Sequence, residues 1–154
     1  YGEVKANQIQ MLSQLGLVSG ARPEKYNAGG KSASNRFTNP YNPKADRTAR
    51  VRTYWQVNCA TCHVNAGGGN SQMILSHHLK LDATKTLGVE PVHARFGLGK
   101  KARIIAPGDP AHSVMLQRII RLGTGRMPPI GTTVSDPKWI QLLAEWIAEQ
   151  KPTK

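Results

Sequence analysis

The sequence has only two cysteines, few acidic residues and no long run of apolar residues. The cysteines, Cys59 and Cys62, are too close together to suggest a framework of long-range disulfides. No stretch approaches the roughly 18 consecutive apolar residues of a membrane-spanning helix, so we expect no membrane span. The sequence has no zinc finger, no aromatic RNA-recognition signature and no clear helix-turn-helix, and we therefore expect no nucleic-acid partner.

The chain has the length of one ordinary domain. Its 154 residues suffice to bury a core without disulfides. With 39% hydrophobic residues, 15 Gly and 10 Pro, the composition favours packed helices joined by many turns. The chain begins at Tyr1 with neither an initiator Met nor the basic-then-apolar layout of a signal peptide, so we expect a processed product or an excised piece.

The charge is strongly basic and unevenly spread. Lys and Arg number 21 against 9 Asp and Glu, which gives a formal net charge of +12. Residues 22–52 contain eight basic residues, and residues 95–126 contain seven. Such a field favours an acidic partner, whether a protein surface, a polyanion or an anionic membrane face. The alternative is a solvated basic surface with no dedicated partner.

Three dipeptides predict where helices begin. In each, an Asn or Asp side chain accepts an unpaired backbone N–H, and the fixed φ of the following proline suits the first turn. They are Asn42-Pro43, Asp109-Pro110 and Asp136-Pro137. The helices predicted after them cover residues 44–58, 111–121 and 137–150, and glycines at 123 and 125 are expected to end the second.

Apolar spacing predicts one buried helical face near the C-terminus. After Asp136, apolar residues recur at i, i+3, i+4, i+7 and i+8; they are Trp139, Leu142, Leu143, Trp146 and Ile147. Near the N-terminus, Ile9, Leu12 and Leu15 predict a short amphipathic helix closed by Gly16 and Leu17. Short strands are expected at residues 79–81 and 104–105.

The segment Cys59-Ala60-Thr61-Cys62-His63 has the C-x-x-C-H pattern of c-type haem attachment. Two thiols about one helical turn apart can each add to a haem vinyl group, and His63 then becomes the proximal iron ligand. The competing interpretations are a redox-active dithiol and half of a zinc site. A dithiol of the thioredoxin type follows a strand, whereas a helix is predicted here, and no second Cys pair completes a zinc site.

Met127, in Gly125-Arg126-Met127-Pro128-Pro129, is the candidate for the second axial ligand. A thioether stabilises ferrous iron and raises the reduction potential relative to a second imidazole, and the two prolines stiffen its loop. The alternative is a Met that fills a gap in the core. Rivals for the distal position are Met73, whose role is ambiguous, Met11 and Met115, which packing explains, and four histidines: His77, His78, His93 and His112.

Other residues near the motif have weaker assignments. Glycines at 67–69 allow backbone to approach the haem, although a plain flexible loop is equally compatible. Arg103 and Arg126 are candidates to neutralise the haem propionates. Trp55 is a core residue first, with an indole N–H that a propionate could accept.

Taken together, these motifs resemble class I cytochromes c over roughly residues 43–150. A closer likeness is to bacterial cytochrome c domains that form the C-terminal part of planctomycete multidomain proteins and quinoprotein dehydrogenases. The matching residues are Asn58 to His63, Pro107-Gly108-Asp109-Pro110 with Ser113 and Arg118, Met127-Pro128-Pro129, and Trp146-Ile147.

The resemblance implies an all-α, cytochrome c-like fold around one haem c, with His63 and Met127 as axial ligands and covalent bonds through Cys59 and Cys62. Residues 1–42 would form an N-terminal extension packed on the haem domain, residues 43–154, and the long passage at residues 71–101 departs from the family pattern.

The function implied is that of a periplasmic or secreted monohaem electron carrier, itself not an enzyme, within or beside a larger redox protein. The alternatives are a haem enzyme or a sensor of gas or peroxide with a displaceable distal Met, and a binding module for acidic polysaccharide or protein.

Overall fold

The computed structural model of the protein describes residues 8–19 and 37–152. The chain divides into two compact units, Tyr1–Arg36 and Phe37–Lys154. The described residues form four α-helices and three single 3₁₀ turns, and they contain no strand. The expected all-α class is therefore confirmed for this part of the chain. The packing of residues 1–42 on residues 43–154 stays a prediction.

The first unit contains helix α1, Gln8–Gln14. Its end has the predicted glycine closure: Gly16 has φ 70°. The Gly16 N–H donates to the Ser13 carbonyl at 3.0 Å, and the Leu17 N–H donates to the Leu12 carbonyl at 2.9 Å. These two bonds satisfy carbonyls that the helix itself leaves without partners.

Two helices of the second unit, α2 (Arg47–Asn58) and α4 (Pro137–Glu149), pack against each other. Trp55 of α2 and Trp146 of α4, both fully buried, meet edge to face at 5.4 Å. The Trp146 indole N–H donates to the Thr48 hydroxyl at 3.0 Å. All five apolar residues of the predicted α4 face are buried, so the spacing pattern is confirmed.

Helix α4 begins as predicted, whereas α2 does not. The Asp136 carboxylate accepts the Trp139 N–H at 3.0 Å, and Pro137 is the first helical residue. At Asn42-Pro43, the Asn42 side chain instead accepts the N–H of Lys44 and forms a local turn. The cap of α2 is Asp46, which accepts the Ala49 N–H at 2.7 Å, so the predicted start at residue 44 is wrong.

The α-helix predicted at residues 111–121 starts later than predicted, although Asp109 and Pro110 begin a 3₁₀ turn with the predicted cap. Asp109 binds the N–H and the ring Nδ1 of His112, and Pro110–His112 forms a single 3₁₀ turn. Ser113 is then extended, because its buried hydroxyl and backbone pair with Ala106 and Arg103.

Helix α3, Val114–Ile120, follows Ser113 and packs on α4. It ends at Arg121, whose backbone is extended. The helix thus stops before the glycines at 123 and 125, which do not cap it as predicted.

The long passage at residues 71–101 is held by a buried arginine. Nη2 of Arg52 on α2 donates to the carbonyls of Ser76, His77 and Leu79 at 2.8, 3.2 and 2.7 Å. These carbonyls bond to a side chain and not to a strand, and the strand predicted at 79–81 is absent. The one predicted at 104–105 is reduced to an isolated bridge between Leu87 and Ile105. No helix in the described ranges is long and apolar enough to cross a membrane.

Candidate functional site

A cavity of about 670 Å³ opens in the second unit, beside the C-terminal end of α2. This volume lies within the roughly 300–1,000 Å³ of pockets that hold small molecules and cofactors. Four residues singled out in the sequence line it together: Cys59, Cys62, His63 and Met127. Many of the other lining side chains are apolar, among them Leu75, Ile104, Val114, Met115 and Ile119.

The end of α2 presents the two thiols. The Cys59 N–H donates to the Trp55 carbonyl at 2.9 Å and so continues the helical bonding beyond Asn58. The N–H groups of Cys62 and His63 then both bond to the Cys59 carbonyl, at 3.1 and 2.9 Å. This tight turn brings both thiols and the imidazole to the cavity wall. Both cysteines are free thiols; Cys59 is half-buried and Cys62 is exposed.

His63 is buried, with 8% of its surface exposed. Its Nδ1 is enclosed by protein atoms and has no hydrogen-bond partner among the described residues. The pKa of the imidazole lies below its usual value, chiefly because burial disfavours the charged ring and also because Arg118 is positive. The ring is therefore neutral at neutral pH, which is the form that binds a metal ion.

Two glycines, Gly67 and Gly69, bring the chain close to this turn. The Gly69 N–H donates to the Cys62 carbonyl at 3.0 Å. A Cβ on Gly69 would lie 2.7 Å from Nδ1 of His63, and one on Gly67 would lie 2.3 Å from the Cys62 carbonyl oxygen. The geometry favours close approach of the backbone over a plain flexible loop. However, the group that the backbone approaches is the Cys–His turn itself.

Replacing Gly69 by Ala is expected to displace the His63 ring and to lower the free energy of unfolding by about 1–3 kcal/mol, the cost of overpacking. Gly68→Ala is the matched control, since a Cβ there meets nothing within 4 Å. We expect it to change stability by less than about 0.5 kcal/mol. Urea unfolding and the NMR signals of the His63 ring measure both effects. Equal costs for the two variants would contradict the packing argument.

The loop after α3 brings Met127 to the cavity. Its N–H donates to the Arg118 carbonyl at 3.0 Å, and Pro128 and Pro129 follow it along the cavity wall. Among the rivals, Met73, Met115 and His93 also line the cavity. His77, His78 and His112 are not among its described lining residues, and Met11 lies on α1 in the other unit.

The arginine at the cavity is one that the sequence did not single out for a charge role. Arg118 lines the cavity, whereas Arg103 and Arg126, the predicted propionate partners, are not among its described lining residues. Arg103 donates to the carbonyls of Lys100 and Ala102, and Arg126 donates to that of Leu122. Both guanidiniums therefore serve local turns.

Trp55 is a core residue, as the sequence predicts. Its side chain is fully buried against Trp146, and it is not among the described residues that line the cavity. The indole N–H is buried with no partner in the described part of the chain. Its predicted second role, as a hydrogen-bond donor to a propionate, has no support in this placement.

A polar cluster that sequence reasoning missed lies on another wall. Asp136, beyond its role as the α4 cap, accepts hydrogen bonds from the hydroxyls of Tyr41 at 2.6 Å and Tyr54 at 3.2 Å. Burial alone would raise the pKa of Asp136, but these bonds and those from the first turn of α4 hold it below its usual value. The Tyr54 ring stacks on Trp139 at 4.0 Å. No sequence signal marks a tyrosine pair so distant from its acceptor.

The structure disfavours the two competing interpretations of the Cys pair, a zinc site and a redox-active dithiol. Residues 8–19 and 37–152 contain no group of three or more His, Cys, Asp or Glu side chains placed to hold a metal ion, which disfavours a zinc site. Burial, with the neighbouring Cys62, raises the pKa of the Cys59 thiol to about 12. A reactive dithiol needs the opposite shift.

Comparisons of the chain with models of protein families, with characterised proteins and with solved structures found no match. The features of the chain that indicate a function are therefore its C-x-x-C-H motif and the side chains that meet at the cavity.

Proposed function

We propose that the chain is a monohaem c-type cytochrome domain that carries single electrons between redox partners. The observation that carries the proposal is the meeting of Cys59, Cys62, His63 and Met127 at one largely apolar cavity. The first three come from one motif, but Met127 lies on a separate loop after α3. Met115, which also lines the cavity, belongs to the hydrophobic core cluster and Met73 packs against it, whereas Met127 is not part of that cluster.

Each of these side chains suits a c-type haem. The Cys59 and Cys62 thiols would hold the porphyrin covalently, and the neutral His63 imidazole and the Met127 thioether would bind the iron. When bound, the haem supplies an iron centre that gains and loses one electron. The apolar walls would limit the access of water to this centre, and the enclosed His63 ring and the proline-flanked Met127 would limit rearrangement of the ligands.

The test is to produce the protein in a host that matures c-type cytochromes. We expect a coloured protein whose mass, after denaturation, exceeds that of the polypeptide by one haem. A colourless product with the bare polypeptide mass overturns the proposal. The control is the same protein produced in a host without the maturation machinery, and it should carry no covalent haem.

Met127→Ala is expected to remove the distal ligand and to lower the reduction potential by on the order of 0.1 V, a fraction of the roughly 0.8 V that axial ligands span. Carbon monoxide should then bind the ferrous protein rapidly. Met73→Ala, which changes another Met of the same cavity, is the matched control and should leave the potential and the spectrum unchanged. An unchanged Met127→Ala spectrum would remove Met127 as the ligand.

The unmodified protein separates the electron carrier from its closest alternative. A carrier with a firmly bound distal thioether should take up carbon monoxide slowly in the ferrous state. Rapid uptake by the native protein would favour the sensor or enzyme with a displaceable Met. The chain needs no general acid or base for the proposed role.

We also propose that the partner is a protein, or a fused catalytic domain, with an acidic docking surface outside the cytoplasm. The support is the formal charge of +12. Oxidation of the reduced protein by anionic hexacyanoferrate should slow as salt shortens the screening length from about 10 Å at 0.1 M to about 3 Å at 1 M. A cationic cobalt complex is the control, and its rate should rise. Identical salt dependences would contradict the charge argument.

A further inference from the structure

Arg118 makes two separate hydrogen bonds to the loop that carries Met127. Its main-chain carbonyl accepts the Met127 N–H at 3.0 Å. Its guanidinium Nη1 donates to the Gly125 carbonyl, also at 3.0 Å. One residue of α3 therefore binds the loop both at Met127 and two residues before it.

A second contact fixes the guanidinium and the loop against the same ring. Phe96, from the long passage at residues 71–101, lies with its ring centroid 4.9 Å from the Arg118 guanidinium carbon. A Cβ on Gly125 would lie 2.8 Å from that ring, so the loop backbone touches it as well. The Arg118 side chain is thus confined between a carbonyl and an aromatic face, two partners that suit a planar guanidinium.

We propose that Arg118 is a positioning residue that holds the Met127 thioether at the cavity and so sets how readily an outside ligand displaces it. This inference rests on the proposed function, because it assigns Arg118 a role towards the distal ligand. Within the described residues, the side-chain hydrogen bond of Arg118 goes to the carbonyl of Gly125 on this loop.

Arg121 offers a matched comparison on the same helix end. Its guanidinium lies over the same Phe96 ring, at 4.0 Å from the centroid. However, its Nε donates to the Gln117 carbonyl, one turn back along its own segment, and not to the Met127 loop. Arg118→Leu and Arg121→Leu each remove one positive charge and one cation–π contact. Only the first removes a hydrogen bond to the loop.

The first measurement is the displacement of the distal ligand by added imidazole in the ferric, haem-loaded protein. We expect Arg118→Leu to lower the imidazole concentration at half displacement by about tenfold, the change that corresponds to losing one hydrogen bond from a charged group. For Arg121→Leu, the imidazole concentration at half displacement should stay within about twofold of that of the unmodified protein, because a partly exposed charge contributes little. Equal shifts in the two variants would overturn the proposal.

The second measurement does not depend on the haem. Amide hydrogen exchange at Met127 reports whether the loop stays on α3, because that N–H bonds to the Arg118 carbonyl. Exchange should accelerate in Arg118→Leu and stay unchanged in Arg121→Leu. If Arg118→Leu does not fold, Arg118→Ala, which also lacks a side-chain donor, is judged by the same two criteria.

The two proposals fail in different ways. A protein without haem defeats the proposed function, while the exchange measurement still shows whether Arg118 holds the loop. A haem protein in which Met127→Ala acts as expected, but in which Arg118→Leu behaves as Arg121→Leu does, defeats the positioning role alone.

Discussion

Replacing both Cys59 and Cys62 by Ala is expected to abolish covalent haem attachment completely. The thiols are the only groups of this chain that could form thioether bonds, because the sequence contains no other cysteine. Denaturation followed by extraction with acidified organic solvent should then remove all colour from the double variant. Under the same treatment, the unmodified protein should keep its colour with the polypeptide.

The single variants are the controls for this experiment. Cys59→Ala and Cys62→Ala each leave one thiol at the cavity, so each should retain haem through one bond. Cys62 is exposed, so truncating it should cost little stability, whereas Cys59 is half-buried and packs against the core, so truncating it should cost more. Circular dichroism of the double variant separates loss of attachment from loss of the fold. Colour that resists extraction in the double variant would contradict the assignment.

The helices that the sequence predicts best are those whose signals are local. The apolar residues of α4 recur at helical spacing, and the side chain of Asp136 is next to the backbone groups that it caps. The start of α2 was harder to predict, because Asn42 and Asp46 both have cap chemistry. The side chain of Asn42 forms its bond within a turn, and Asp46 is left to cap the helix.

The parts that escaped prediction depend on contacts between distant segments. Arg52 binds three carbonyls of the long passage, and Arg118 binds the Met127 loop. Backbone carbonyls are present at every residue, so no sequence pattern marks which of them an arginine will reach. The same reason explains why Arg103 and Arg126, the predicted propionate partners, bind the carbonyls of local turns instead.

The candidate site was more predictable than the fold around it. The C-x-x-C-H spacing fixes three of its side chains within five residues, and the Met-Pro-Pro segment marks the fourth. No sequence pattern predicted that Tyr54 and Asp136 would form another wall of the cavity. Tyr54 and Asp136 come together there because α2 and the start of α4 pack side by side.

Trp146→Ala is expected to lower the free energy of unfolding by about 3–5 kcal/mol, the usual cost of removing a buried tryptophan. Trp146 is fully buried and packs edge to face on Trp55. Since whole domains are stable by only about 5–15 kcal/mol, the variant should unfold at a much lower urea concentration. Circular dichroism along a urea titration measures the shift, and a cost below about 1 kcal/mol would contradict the placement of Trp146 in the core.

Thr48→Val separates the packing of this tryptophan from its hydrogen bond. It keeps the volume beside the indole but removes the hydroxyl that accepts the Trp146 N–H, so it should cost only about 1–3 kcal/mol. The larger loss in Trp146→Ala should also reach the candidate site. Trp55, its partner, supplies the carbonyl that binds the N–H of Cys59 at 2.9 Å, so the turn that presents the thiols begins at the residue on which Trp146 packs. Trp146→Ala should therefore yield less protein with covalent haem than Thr48→Val does.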